Sequence, residues 1–176
     1  MLFPKDKKLF KHIFVLATPV VISNLSRVLM GIVDMAMVGV LGASSLAAVG
    51  MAGMVTWTAM SLGIALRTGT QTVVSRRLGE KKYGECGVAL RNMHIFSLFV
   101  GIPVSFTCFY FTEPIISFFI TDSETLWQCI DYAKYNFLGT YFMYACFVFQ
   151  GFYTGIEKTK VHMKAVLASN LLNVYL

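Results

Sequence analysis

Four apolar runs, at about residues 13–40, 45–74, 88–111 and 126–151, decide what this chain can fold into. Each is longer than the roughly 20 residues that a helix rising about 1.5 Å per residue needs to cross a bilayer core of about 30 Å. Lipid offers no water to a stray peptide group, so such runs are stable only as helices. Composition agrees: 56% of residues are hydrophobic and 14% are charged, with mean hydropathy +0.65. The expected fold is an all-α integral-membrane helical bundle. The first run exceeds a signal-peptide core and no small-residue cleavage site ends it, so it is expected to be retained. No phosphate loop, nucleophile elbow or metal motif is present. VGMAGM lies inside a span with no strand before it, and Cys86, Cys108, Cys129 and Cys146 lack metal spacing. Cys108 and Cys129 fall near one level of the bundle, as packing thiols. No enzyme is expected.

The net charge of +6 has a topological explanation. Lys5, Lys7, Lys8 and Lys11 precede the first run. Arg76, Arg77, Lys81, Lys82 and Arg91 surround the second connection, and Lys158, Lys160 and Lys164 the fourth. The first connection, 39–45, has no base, and the third, 112–125, carries Glu113, Asp122 and Glu124. Basic connections alternating with neutral or acidic ones put the N-terminus in the cytoplasm. The same placement argues against a nucleic-acid partner. A fifth apolar stretch, 165–176, spans only about 18 Å as a helix, so a longer protein is expected, with this chain as its N-terminal part.

Local signals fill in the rest. PIISFFI after Glu113 reads as a short interfacial helix, and Asp122 as the N-cap of the helix that follows. Gly151 and Gly155 read as that helix's end. In the second run Ala48 and Ala52, then Ser61, Ala65 and Gly69, form rows at spacing four that would let helices approach closely.

Asp34 stands almost alone in the first run. An intramembrane carboxylate costs several kcal/mol unless paired, hydrated or protonated, and such acids mark ion or proton paths. Arg27 lies seven residues earlier on the same face, placed to tune Asp34 through water or to contact substrate. Arg67 is expected to reach toward the cytoplasmic interface, Asp131 and Lys134 to pair locally, and His94 to sit at the interface. Asn170 and Asn173, in the fifth stretch, are suited to linking helices or coordinating an ion.

Three segments together resemble the multidrug and toxic compound extrusion (MATE) transporters: ATPVVISNLSRVLMGIVDMAMVGVLGASSLAAVG, RTGTQTVVSRRLGEKKYGE and GFYTGIEKTKVHMKAVLASNLLNVYL. The resemblance covers nearly the whole chain. It implies a twelve-helix, two-lobe transporter, of which this chain supplies the first four to five helices of the N-lobe. It implies antiport of cationic or amphipathic small molecules against protons or sodium in a plasma membrane, bacterial inner membrane by the family's habit. No cofactor is implied beyond the coupling ion. The implied partners are an organic cation, the bilayer and the C-terminal remainder of the chain. The cation-coupling residues implied are Asp34 and Asn173, with a possible sodium site at Asp34; an acid is expected at position 177. Arg27 departs from the uncharged residue usual there, and Asn170 is a further possible contact. A lipid-linked precursor flippase of the same superfamily and a non-transporting membrane scaffold are the competing expectations.

Overall fold

The computed structural model describes residues 7–175, so Lys5 and Leu176 lie outside the described residues. Six helices follow one another: α1 Lys7–Gly39, α2 Ala43–Gly79, α3 Tyr83–Tyr110, α4 Thr112–Phe119, α5 Ser123–Gly155 and α6 Thr159–Tyr175. The helices outrun the apolar runs at their basic ends. The sixth starts at Thr159 rather than about 165, taking Lys160 and Lys164 into its first turns. Hydropathy marks the part of a helix that faces lipid. Backbone bonding continues past it as long as the side chains tolerate the α region.

Three helices, α1 to α3, are long and apolar enough to cross a membrane. The run 126–151 was also expected to span; it becomes α5, 33 residues long, which is not one of these three. Its position explains this. It packs against α2, α3, α4 and α6 and carries the longest set of buried residues, including Tyr144, Thr140 and Gln150. A helix surrounded by protein is released from the need to be apolar all round.

Residue pairs fix the directions of packing. Ser45 Oγ donates to Gln128 Oε1 at 2.9 Å and Tyr144 OH donates to the Ala59 carbonyl at 2.5 Å. Further along, a Cβ on Gly155 would meet Val74 and the Gln71 carbonyl. Residue numbers rise together, so α2 and α5 are parallel. Along α3 and α5 they run oppositely: Ser105 Oγ donates to the Phe137 carbonyl, Gly101 faces Tyr141 and Tyr144, and the His94 ring lies 5.4 Å from that of Phe149.

One core cluster joins Ala48 and Ala52 of α2 to Cys129, Ala133 and Phe137 of α5, with Ile116 of α4 closing it. Cys108 packs against this cluster, and all four cysteines are free thiols. The expected row of small residues holds for Ala48 and Ala52 and then changes. Ser61 and Ala65 are exposed, and the contact continues through Thr56, Gly63 and Thr70. Gly63 lies under Phe147 and Tyr144, and Gly151 under the Arg67 backbone. Gly151 therefore serves as a close-approach point inside α5, which ends only at Gly155.

Asp122 caps α5, accepting from Thr125 N at 3.0 Å and Thr125 Oγ1 at 2.7 Å. These bonds hold its carboxyl below the usual range. The basic connections close with Lys81 (φ 59°) and Glu157 (φ 62°) in the left-handed region, a helix-ending geometry that glycine adopts at least cost.

Candidate functional site

The site is built where α1 meets α6. Their register rests on two contacts. His12 Nε2 lies 3.3 Å from Glu157 Oε2. The Asn170 side-chain amide donates to Ser26 Oγ at 2.8 Å and to the Ser26 carbonyl at 3.2 Å. The helices are therefore parallel, with an offset of 144 to 145 residues. Asn173 lies level with about residue 29 of α1, and Asp34 level with about positions 178–179, just past Leu176.

Asp34 is exposed on α1. Within the described residues it has no ion pair or hydrogen bond, and no ion pair joins it to Arg27. Asn173 is likewise exposed. The structure thus places Asp34 and Asn173 on neighbouring parallel helices, roughly 8 Å apart in height at 1.5 Å per residue. Asn170 is committed to Ser26.

Arg27 instead opens into a cavity of about 350 Å³ between α1, α5 and α6. Gln150, His162 and Asn170 share that cavity with Met143, Phe147 and Phe149. Arg67 was expected to reach toward the interface. It is half-buried at the back of this region, close enough to Arg27 and His162 to act on both electrostatically. Its backbone is pinned there by Gly151. The expected pair of Asp131 and Lys134 is not formed within 4.0 Å among the described residues; a three-residue separation permits a pair without imposing it. His94, on α3, is half-buried against Phe149 of α5, and its Nδ1 is buried without a hydrogen-bond partner among the described residues.

Sequence reasoning passed over His162 and Gln150. His162 stands between Lys160 and Lys164 and looked like part of a basic turn. Gln150, in FVFQGF, is a lone polar residue in an apolar stretch, which was the available signal. A second cavity of about 570 Å³ is apolar and lies between α2, α3, α4 and α5, where Met51, Met54, Phe119 and Phe137 line it.

The MatE family model matches residues 19–176. The multidrug export protein MepA of Staphylococcus haemolyticus is 28% identical over 173 residues, covering 98% of this chain and 38% of that protein. MepA of Staphylococcus saprophyticus is 29% identical over 177 residues, with the same two coverages. Among solved structures, an outward-facing multidrug resistance MATE family transporter of the MOP superfamily has a TM-score of 0.90 and 25% identity, over 94% of this chain and 37% of that one. A MOP superfamily transporter from Pyrococcus furiosus, with a binding pocket of reverse polarity, gives the same four values. The chain spans about 38% of the length of the curated relatives it matches.

Proposed function

The chain belongs to the MatE family, and from that premise we propose that it forms the first part of the N-lobe of a secondary antiporter. Its cargo is a cationic or amphipathic small molecule, exchanged for protons or sodium, and the rest of a longer chain supplies the second body that alternating access needs. The relatives named as multidrug exporters favour efflux over flipping of a lipid-linked precursor.

The observation that carries the coupling role is the position of Asp34. It is a carboxylate in an otherwise apolar helix, unpaired within the described residues, with α6 running parallel beside it. Such an acid can bind a proton or sodium from one side and release it to the other. Asn173 is the amide closest in height on the neighbouring helix and serves as a second coordinating group.

In the full-length protein, Asp34→Asn should insert normally and lose ion-driven efflux of a cationic dye, whereas Asp34→Glu should keep part of it. Wild-type efflux from Asp34→Asn, at matched protein levels in vesicles, would reduce the acid to a packing feature. Separate sodium and pH gradients identify the coupling ion. The alternation of basic and neutral or acidic connections supports a cytoplasmic N-terminus, in what we take to be a bacterial plasma membrane. A single cysteine in the 39–45 connection should react with an impermeant thiol reagent from outside, and one near Lys81 should not.

A further inference from the structure

Two arginines and a histidine converge between α1, α2, α5 and α6, and no carboxylate of the described residues lies with them. Arg27 lines the cavity there, His162 shares it, and Arg67 acts on both from α2. The described acids are committed or placed elsewhere. Glu80 and Glu85 hold Arg76, Arg77 and Lys82. Glu157 holds His12, Glu124 accepts from Ser44, and Asp122 is a cap. Asp131 is near the start of α5, far along that helix from Gln150, and Glu113 is in α4. Asp34 is two turns further along α1 and does not line the cavity.

Arg67 is half-buried, while Arg27 is exposed and lines the cavity, open to a counter-charge carried by a ligand. The same cavity also holds polar groups with nothing to bond. Gln150 is only 3% exposed, lines the cavity, and its side-chain amide makes no hydrogen bond within the described residues. His162 Nε2 is buried without a partner. Asn170 is already satisfied by Ser26. The remaining wall is apolar, with Met143, Phe147 and Phe149. From Val161 to Asn170 the cavity follows α6 for about 13 Å. That is long enough for a head group and a short hydrocarbon or ring system.

We propose that this cavity receives an anionic group, a phosphate or carboxylate carried on an amphipathic molecule, with Arg27 as its main ligand and Gln150 and His162 as added donors. Guanidinium matches such oxyanions with two parallel N–H bonds, and the apolar wall takes the tail. The inference rests on the transport reading and goes beyond it, adding an anionic amphipathic ligand to the cationic cargo proposed above.

The test uses purified full-length protein in neutral detergent and competition against radiolabelled octyl phosphate. Octyl phosphate should compete at least tenfold better than octyltrimethylammonium, and better than inorganic phosphate. Arg27→Gln should weaken octyl phosphate by about tenfold, the loss of one charge-assisted contact, and Arg27→Lys by less. If Arg27→Gln does not fold, Gln150→Leu and His162→Gln should each weaken it severalfold. Equal binding of the two octyl heads, or no change in any folded variant, overturns the site. Inorganic phosphate binding as tightly as octyl phosphate overturns the amphipathic ligand. Dye efflux in vesicles separates this from the transport reading. Head selectivity without efflux removes the antiport and leaves the site. Efflux without head selectivity removes the site alone.

Discussion

Asn170 of α6 donates to both oxygens of Ser26 on α1, 2.8 Å to the hydroxyl and 3.2 Å to the carbonyl. It is a polar tie between two helices that also meet at the His12–Glu157 pair near their starts. Membrane hydrogen bonds of this kind contribute about 0.6 to 1.7 kcal/mol. Ser26→Ala and Asn170→Leu should each lower the thermal midpoint of the full-length protein. The double variant should cost less than the two added together, by about that coupling energy. Strict additivity would mean that the two side chains do not bond in the membrane.

Gly151 and Gly139 lie on the same helix and predict opposite outcomes. A Cβ at Gly151 would run into the Arg67 carbonyl, whereas one at Gly139 meets nothing within 4 Å. Gly151→Ala should destabilise by about 1–3 kcal/mol through forced separation of α2 and α5. Gly139→Ala should be neutral or stabilising by about 0.5–1 kcal/mol, the helix preference of alanine over glycine. Detergent-solubilised melting curves followed by size-exclusion chromatography decide both.

Glu80, in the basic turn between α2 and α3, accepts from Arg76, Lys82 and Arg77, which push its carboxyl from an ordinary 4.5 down to about 2. Because the folded value is the lower one, the stabilisation is present above about pH 4.5 and disappears as pH falls toward 2. Wild type should therefore lose more stability across that interval than Glu80→Gln, which has nothing to titrate there. High salt at neutral pH should narrow the difference, since the cluster is exposed to solvent. Unfolding midpoints measured on a pH series would expose a flat wild-type profile, the result that contradicts this account.

Much of the bundle was legible in the sequence because lipid imposes a simple rule. Length and apolarity marked α1 to α3, and Asp122 announced the α5 cap. Where the outcome depended on a partner helix, the sequence was ambiguous. In α2 the expected row ran through Ser61 and Ala65, whereas the contact runs through Gly63, which carries no stronger signal of its own. Only the presence of Phe147 and Tyr144 opposite Gly63 decides for that side. Arg67 could reach outward by length, but the turn of α2 that carries it faces α5 and aims it inward. Asn170 was visible as a linker, whereas its partner Ser26 was hidden among ordinary helical serines. Finding it required knowing that α1 and α6 run parallel. His162 and Gln150 were missed because neither forms a motif; a cavity shared by three helices relates them.

The register between α1 and α6 also sets a clock. The first helix packs mainly on α6 and only lightly on α2, and its contacts reach 144 residues ahead. At a synthesis rate of about 5–20 residues per second, α1 waits roughly 7 to 30 s between its own emergence and that of its lasting neighbour. For that interval Asp34, Arg27 and Ser26 face a translocon, lipid or a chaperone instead of their final surroundings. Among the described helices, α2 through α5 can therefore pack on one another first, and α1, made before them, docks later, with α6.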